Sequence, residues 1–368
     1  VGAGIAGLST AVLLAKSTAS QSLQISLVDG QPRPSMLPEQ EIALRVSAIA
    51  TGSVELLERM GVWPRIEQDR IGVYDSMRGW DESSTADSGD ALRFDAAEFA
   101  EPQLGFIIEN LMLQTAILDE LQNSDVELLF DAPIDSLEHS EGEQRLLLQD
   151  GRVLRADLVI GADGARSRIR ECADIQTKKW PYDQTAFVTH LETERPHTNH
   201  ARQRFLEKGP LGMLPLRDGR ISVVWSTTPE QVEWAMAADN DELGRTLSEA
   251  SDYVLGNLTV AGPRGAFPLL AQHAQDYVKA GVALIGDAAH AVHPLAGQGA
   301  NLGLQDAACL ADVLATAIQG GAYPGDRPVL RRYERARKGA NATMLHFMTG
   351  LNRLFATDSV LLKELLTT

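Results

Sequence analysis

The chain has 368 residues, 44% of them hydrophobic, which is enough to bury a large core and to form two domains. Its formal net charge of −17 argues against nucleic acid as a partner, because phosphate binding needs concentrated positive charge. No apolar run is long enough to predict a membrane-spanning helix. The two cysteines, Cys172 and Cys309, lie far apart without metal-binding or redox spacing. We therefore expect a globular cytoplasmic protein without a metal site.

The first motif is a glycine-rich turn at the start of the chain. Gly2, Gly4 and Gly7 open a helical pattern, and a short strand then ends on Asp29. In a dinucleotide-binding fingerprint the glycines allow a tight turn, close approach to a pyrophosphate and helix packing, and the acid binds a ribose hydroxyl. Such a turn should follow a central strand, yet only Val1 precedes it, so we expect upstream residues in the natural protein.

Periodicity predicts the elements that follow. Helices are expected at 49–60 and 111–121, and strands at 74–80, 92–94, 126–130, 145–148 and 158–160. Strand-like runs then follow one another without an intervening helix at 185–191, 202–206, 212–216 and 221–226, which indicates an antiparallel sheet. Beyond about residue 323 the pattern is helical, with apolar stripes near the end.

The order of these blocks predicts an α/β fold with a Rossmann-like cofactor domain. That domain is expected to consist of residues 1–72, 111–175 and 269–318. An inserted antiparallel-sheet substrate domain would consist of 73–110 and 176–268, and a C-terminal helical region of 319–368. The apolar stripes close to Thr368 also lead us to expect residues beyond it in the natural protein.

The second motif is a buried strand that ends on an acid and continues through a glycine-rich loop into a helix. The apolar run 282–285 precedes Asp287, whose carboxylate can accept hydrogen bonds from hydroxyls such as those of a ribityl chain. Gly297 and Gly299 let the backbone approach an aromatic heterocycle closely. The free N–H groups of the following helix would stabilise the negative charge of a reduced flavin.

A third motif completes the pattern. Residues 158–168 read as a strand followed by the turn Gly161-Ala-Asp163-Gly164-Ala-Arg166. With all three motifs in this order, the chain resembles the group A FAD-dependent aromatic hydroxylases, the p-hydroxybenzoate hydroxylase superfamily. The stretches 44–49, 61–63, 161–164 and 293–303 resemble the ubiquinone-biosynthesis hydroxylases, which act on polyprenylated phenols.

The resemblance implies a set of FAD-binding residues. Gly2, Gly4 and Gly7 would contact the pyrophosphate, Asp29 the adenosine ribose, and Asp287 the ribityl chain or pyrophosphate. The isoalloxazine ring would be surrounded by Pro294, Gly297, Gln298, Gly299, Ala300 and Asn301.

The resemblance also implies further cofactor contacts. Arg45 would lie along the cofactor, and Asp163 and Arg166 would lie near the FAD pyrophosphate and the incoming nicotinamide. Asn110 takes the position where relatives often have a basic or amide residue.

The activity implied by the resemblance is that of an FAD-dependent monooxygenase. NAD(P)H would reduce the flavin, O2 would add at its C4a carbon, and the hydroperoxide would transfer one oxygen atom to a lipophilic phenol. The protein's part is to position the ring, stabilise charge and exclude water. We therefore expect few acid or base side chains in the chemistry, and no catalytic side chain stands out.

Other flavoprotein classes fit less well. A second GxGxxG motif and a CxxC motif are both missing, which disfavours the disulfide reductases, and a Trp-x-Trp-x-Ile-Pro run typical of halogenases is missing too. Two alternatives stay open: an FAD-dependent prenyl-lipid reductase on the same fold, and a non-catalytic flavin-binding subunit of a lipid-synthesis complex. A hydroxylase should consume O2 together with NAD(P)H, whereas a reductase needs no O2.

A few further residues have two interpretations. His290 and His293 have HxxH spacing but lack a third metal ligand, so we expect them to form loop hydrogen bonds. Arg331, Arg335 and Lys338 share a helix face that is either solvated or a contact for lipid headgroups or a protein partner. With such a contact, the C-terminal region would hold the protein at the inner face of the membrane. The aromatic residues expected either in the core or in a substrate pocket are Trp80, Trp225 and Phe187.

Overall fold

The computed structural model describes residues 1–17, 23–38, 41–89, 91–140, 142–292, 297 and 299–355, the last five as backbone. Its helices are α1 (Ile5–Ala15), α2 (Thr51–Arg59), α3 (Asn110–Leu121), α4 (Arg168–Cys172), α5 (Pro229–Ala237), α6 (Asn240–Ala250), α7 (Gly299–Gln319) and α8 (Arg327–Phe355).

A parallel sheet forms the centre of the cofactor part. It contains the pair β1 (Ser26–Val28) and β7 (Glu127–Leu129), the pair β11 (Val159–Gly161) and β19 (Val282–Leu284), and the antiparallel edge strand β18 (Val278–Lys279). Val1 and Gly2 join the two pairs, because the amide of Gly2 donates to the carbonyl of Val28 and the carbonyl of Val1 accepts from the amide of Ala162, both at 2.7 Å. The first two residues therefore occupy the central position that the sequence predicted for the strand before the glycine turn.

Two small antiparallel sheets flank this centre. One contains β2 (Val46–Ala50), β6 (Gly105–Glu109) and β3 (Gly72–Tyr74), and the other contains β8 (Ile134–Ser140), β9 (Glu143–Leu148) and β10 (Val153–Ala156). The apolar sides of α1, α2 and α3 bury one hydrophobic cluster, and those of α7 and α8 bury another against the central strands. Helix α1 is apolar on almost every side, as expected for a helix enclosed by other elements.

The largest sheet lies in the inserted segments. Its strand order is β20 (His290–Ala291), β17 (Gly265–Ala274), β12 (Thr177–Thr193), β15 (Ile221–Thr227), β14 (Gly209–Pro215), β13 (His200–Leu206), β4 (Ser76–Asp81) and β5 (Leu92–Asp95), with β16 (Leu258–Val260) beside β12. All of its pairs are antiparallel except β13 with β4, which is parallel. That exception arises because β4 comes from the earlier insertion and joins the sheet by a long connection.

One face of the large sheet packs on two helices. Side chains of alternate residues, including Phe187 and Leu191, bury against Leu243 and Leu247 of α6. Thr228 and Asp239 cap the starts of α5 and α6, accepting hydrogen bonds from backbone amides. The structure places Trp80, Trp225 and Phe187 in this core.

The opposite face of the sheet is directed at the cofactor part. Ala201 and Leu214, one from β13 and one from β14, pack against Ala48, Tyr74 and Ile107 of the small sheet β2–β6–β3. We call this face the inner face.

Most of the predicted helices and strands are present in the structure. The predicted helices correspond to α2, α3 and α8, and each predicted strand corresponds to an observed one, with 74–80 divided at Asp75. Periodicity did not identify α5 and α6. The division into a cofactor domain (1–72, 111–175, 269–318), a substrate domain (73–110, 176–268) and a C-terminal region (319–368) remains a proposal.

The basic residues of α8 are partly paired within the chain. Arg331 forms a salt bridge with Glu334 at 3.1 Å, and the ammonium of Lys338 donates to the carbonyl of Gln275. Arg335 is exposed. Over the part of the chain that the structure describes, no helix is both long and apolar enough to cross a bilayer.

Candidate FAD site

The first wall of the site forms where the backbone at Gly2, Gly7 and Ala162 comes into direct contact. Gly2 has a φ of +100°, and a Cβ there would lie 2.3 Å from the carbonyl oxygen of Ala162, while a Cβ on Gly7 would lie 1.9 Å from the carbonyl oxygen of Gly2. No side chain fits at either position. The first and third sequence motifs therefore pack directly against each other.

The middle glycine of the first motif has a different environment. A Cβ on Gly4 would meet no atom within 4 Å, and Gly4 caps α1 without a side-chain hydrogen bond. The first amides of α1 thus face open space, which is the arrangement that binds a pyrophosphate.

Asp29 lies beside this turn. Its carboxylate accepts hydrogen bonds from the amides of Ala3 at 2.5 Å and Gln31 at 2.7 Å. A carboxylate has further lone pairs, so it can accept a ribose hydroxyl as well.

Asp163 fixes the backbone of the third motif through hydrogen bonds. The carboxylate of Asp163 accepts from the hydroxyl of Ser167 at 2.5 Å and from the amide of Ile169 at 3.1 Å, which caps the start of α4. Arg166 is exposed at the same turn. The side chain of Asp163 therefore has a structural task in addition to the cofactor contact that the resemblance implies.

Asp287 is exposed, although protein atoms surround it closely. Burial raises the pKa of its carboxyl, and His290 and Arg45 oppose that shift. An exposed side chain in such dense surroundings faces a recess. Arg45 is exposed as well and lies near enough to oppose the rise in the pKa of Asp287, so both side chains belong to the same recess. The guanidinium of Arg45 lies 5.5 Å from the ring centre of Phe267.

The turn that carries Asp287, a 3-10 helix over Gly286–Ala288, packs on the first motif. Gly286 has a φ of +55°, and a Cβ there would lie 3.3 Å from the Cβ of Ala6. A Cβ on Gly303 of α7 would lie 3.2 Å from the same atom. Small residues thus allow α1, α7 and the turn to meet at the recess.

The start of α7 is attached to β2. The side-chain amide of Asn301 donates to the carbonyl of Ala48 at 2.7 Å, and its oxygen accepts from the amide of Ala50 at 3.0 Å. Gly297 has a φ of +63°, and a Cβ there would lie 2.9 Å from the amide nitrogen of Ala48. Gly299 and Ala300 begin α7 itself, whereas Pro294 and Gln298 lie outside the described residues, as does His293.

Asn110 stabilises the same strand from its other end. Its amide donates to the carbonyl of Arg45 at 3.0 Å, and its side-chain oxygen accepts from the hydroxyl of Ser47 at 2.6 Å. The residue therefore fixes the backbone next to Arg45. Its expected contact with the cofactor remains a prediction.

Three polar residues at the site were missed by the sequence analysis. Arg170, Gln272 and Asp306 are buried, and each hydrogen-bonds to the backbone of the turn Gly286–Ala288. Asp306 had a recognisable signal, because it is a single acid on the apolar side of the predicted helix after Gly299. Arg170 lies 118 residues before Ala288, and Gln272, 15 residues before Asp287, lies on a different element, so neither had a local signal.

His290 forms a hydrogen bond, but it does so from the buried strand β20 and not from a loop as predicted. Its ring lies 2.5 Å from a carboxylate oxygen of Asp306 and stacks on Tyr277 at 5.9 Å. Within the described ranges no cluster of three metal-ligating side chains occurs.

Comparison with known proteins identifies the family. Residues 1–348 match the family model described as FAD binding domain. The chain belongs to this family. The residues around the recess fit FAD, since they combine an uncapped helix start, an open glycine position and an exposed carboxylate.

Several relatives are similar over nearly the whole chain. The 3-demethoxyubiquinol 3-hydroxylase of Escherichia coli is 35% identical over 97% of this chain and 88% of that protein. Ubiquinone hydroxylase UbiL of Rhodospirillum rubrum is 35% identical over 97% and 81%. The ubiquinone biosynthesis monooxygenase COQ6 of Xenopus tropicalis is 34% identical over 99% and 88%. The chain is thus an FAD-dependent monooxygenase, and the predicted class and cofactor are confirmed.

Solved structures share the fold. Pseudomonas aeruginosa PqsL has a TM-score of 0.81 at 23% identity, covering 100% of this chain and 96% of that one. Klebsiella pneumoniae HpxO, solved with FAD and uric acid, has a TM-score of 0.72 at 20% identity, covering 100% and 90%. These likenesses confirm the predicted α/β architecture.

Replacing Gly4 by alanine should weaken FAD binding and leave the fold intact. The φ of −73° at Gly4 suits alanine, and the new methyl group would meet only the space that the pyrophosphate needs. We expect the Kd for FAD to rise about tenfold or more, measured by flavin fluorescence during titration of the apoprotein.

Gly7→Ala is the matched control for this experiment. Its Cβ would collide with the carbonyl oxygen of Gly2, so this variant should lower the Tm of the apoprotein as well. Wild-type FAD affinity in a folded Gly4→Ala variant would contradict the assignment of Gly4.

Proposed function

We propose that the chain hydroxylates a polyprenylated phenol in ubiquinone biosynthesis, using NAD(P)H and O2. The observation that carries this proposal is the exposed carboxylate of Asp287 in a recess next to the glycine turn. The names of the relatives support the substrate class.

The chain's own residues would bind and orient the cofactor. The amides at the start of α1 would hold the pyrophosphate beside Gly4, and Asp287 would accept hydrogen bonds from ribityl hydroxyls. The start of α7, fixed to β2 by Asn301, would direct its amides at the pyrimidine edge of the flavin. When bound, FAD supplies the redox chemistry that passes electrons from NAD(P)H to O2 and one oxygen atom to the phenol.

A nicotinamide would bind transiently at the third motif. Arg166 is exposed there and can pair with a phosphate, whereas a dedicated second nucleotide motif is missing from the sequence. Transient binding leaves the recess free for the phenol after the electrons have been transferred.

The inner face of the large sheet offers a place for an apolar tail. Neighbouring strands there carry a row of small or uncharged residues, defined by the pairing register: Gly265, Val188, Val224, Gly212, Gln203 and Gly79. We call this set the inner row. A Cβ on Gly212 would lie within 4 Å of one atom, the carbonyl oxygen of Val224 at 3.7 Å.

The inner row runs from the strand that carries Phe267 to an exposed apolar edge. At one end, Gly265 lies two residues from Phe267, whose ring contacts the guanidinium of Arg45. At the other end, Gly79 pairs with Leu92 of the edge strand β5, and Leu92 and Phe94 are 37% and 46% exposed. A phenol held at the recess could therefore extend an isoprenoid tail along the row towards this edge, where burial of its methylene groups would stabilise binding.

The proposal predicts coupled turnover with a polyprenylphenol. Purified chain loaded with FAD should consume NADPH and O2 in equal amounts and yield a phenol with one added hydroxyl. With 18O-labelled O2, mass spectrometry should find the label in the product, because the oxygen atom comes from O2 and not from water. NADPH consumption that needs no O2 would indicate a prenyl-lipid reductase, and FAD binding without any turnover would indicate a scaffold subunit.

Gly212→Leu tests the position of the tail in the same assay. The leucine would fill the inner row, so kcat/KM should fall about tenfold or more for a long-chain phenol relative to a one-isoprene phenol. The matched control is Gly89→Leu, at an exposed glycine with no atom within 4 Å of its Cβ, and it should keep the wild-type ratio. Equal losses for both chain lengths would refute this tail position.

We also propose that α8 lies against an anionic membrane surface. Arg327, Arg332 and Arg335 are exposed along this helix, and Phe347 is 57% exposed near its end, although the net charge of the chain is −17. Exposed basic residues and an exposed aromatic ring on the same helix are typical of helices that lie at the lipid interface.

Sedimentation with lipid vesicles tests this contact. The chain should bind vesicles that contain phosphatidylglycerol, less so at high salt, and binding should fall several-fold in the Arg332→Glu, Arg335→Glu double variant. Arg155→Glu, on β10, changes the charge at another exposed site and serves as the control. Equal sedimentation of the double variant and the wild type would contradict the proposal.

A further inference from the structure

We propose that Arg170, Gln272 and Asp306 are positioning residues, which fix the backbone of the turn Gly286–Ala288 so that the carboxylate of Asp287 faces FAD. None of the three is expected to touch the cofactor. They act through Asp287, so the inference rests on the assignment of Asp287 to the FAD site.

Each residue of the turn is held by a different side chain. The amide of Gly286 donates to Asp306 at 3.1 Å, and the carbonyl of Asp287 accepts from the side-chain amide of Gln272 at 3.2 Å. The carbonyl of Ala288 accepts from the guanidinium of Arg170 at 2.8 Å. Three successive backbone units are thus fixed, while the side chain of Asp287 stays exposed.

The three side chains come from three elements that surround the turn. Arg170 lies on α4, Gln272 on β17 and Asp306 on α7, and their exposed fractions are 4%, 0% and 0%. Buried hydrogen bonds of this kind are strong and tolerate little rearrangement, because each lost partner leaves a polar group without water.

Arg170 and Gln272 also connect the turn to the third motif. The guanidinium of Arg170 donates to the carbonyl of Ala165 at 2.9 Å, and the side-chain amide of Gln272 donates to the same oxygen at 2.6 Å. The turn around Asp163 and the turn around Asp287 are therefore held at a fixed separation by two shared donors.

Asp306 connects the turn to the C-terminal helix. One carboxylate oxygen accepts from the guanidinium of Arg337 at 2.8 Å and from the side-chain amide of Asn341 at 3.0 Å, both on α8. The other oxygen contacts His290 and the amide of Gly286. Burial alone would raise the pKa of Asp306, but His290 and the hydrogen bonds from α8 hold it below its usual value. The carboxylate is thus fully paired where it contacts the turn.

A rigid turn matters for the affinity of the site. Gly286 has a φ of +55°, which glycine adopts without strain but which its flexible backbone does not enforce, so the three side-chain contacts restrict the turn to this conformation. A carboxylate that is already oriented loses little freedom when it accepts a hydrogen bond from the cofactor. Releasing one backbone contact should therefore lower FAD affinity without removing any atom that touches FAD.

A double-mutant cycle between Gln272 and Asp287 tests the inference. Gln272→Met keeps the size of the side chain and removes the donor to the carbonyls of Asp287 and Ala165. It should raise the Kd for FAD about tenfold or more, because each lost hydrogen bond contributes up to about 1.5 kcal/mol. Asp287→Ala should raise the Kd at least as much. The double variant should match Asp287→Ala within about twofold, because the contribution of Gln272 passes through Asp287.

Controls separate positioning from a general loss of stability. FAD titrations are run well below the Tm of each apoprotein. Gln184→Met, which removes an exposed hydrogen bond to the carbonyl of Lys208 on another part of the sheet, should leave the Kd unchanged. If Gln272→Met does not fold, Arg170→Lys provides the second arm, since it keeps the charge but not both carbonyl contacts. An unchanged Kd in either folded variant, or effects that multiply in the double variant, would overturn the inference. Weaker FAD binding in each single variant, with no further loss in the double variant, would support the inference even if the chain hydroxylates no phenol.

Discussion

The exclusion of side chains where Gly2, Gly7 and Ala162 meet is the constraint on which the site depends. At these positions backbone lies against backbone, with less space than a single Cβ requires. This contact sets the first motif beside the third and inserts Val1 and Gly2 into the middle of the parallel sheet. Gly4 lies between these two close contacts, a Cβ there would meet no atom within 4 Å, and α1 begins directly after it.

The second half of the recess is held by polar groups. Asn301 attaches α7 to β2, and Asp306 attaches the turn of Asp287 to both α7 and α8. These groups are buried and paired, so they fix geometry at a cost in desolvation that an apolar core would avoid. Arg45 and Asp287, by contrast, are exposed, so their side chains can contact a ligand in the recess.

The sequence predicted those parts of the arrangement that depend on local patterns, and it did not predict those that depend on contacts between distant elements. The glycine turn, the acid after a buried strand and the α/β order are local patterns, and the structure contains all three. The contact of Arg170 with the turn joins residues 118 positions apart, and Gln272 contacts the turn from a separate strand, so no local pattern encodes either contact. The parallel pairing of β4 with β13 could not be predicted from the sequence either, because it depends on how two separate insertions pack together. Asp163 was expected at the cofactor, and the structure adds a second role, because its carboxylate accepts from the amide of Ile169 at the start of α4.

The central claim is that the recess between the glycine turn and the start of α7 holds FAD with Asp287 as a direct ligand. A crystal structure of the chain with FAD tests this most directly. The account predicts the pyrophosphate at the start of α1 beside Gly4, and a ribityl or pyrophosphate oxygen within hydrogen-bonding distance of the carboxylate of Asp287. FAD bound at another place, or bound in the recess with Asp287 out of contact, would contradict it.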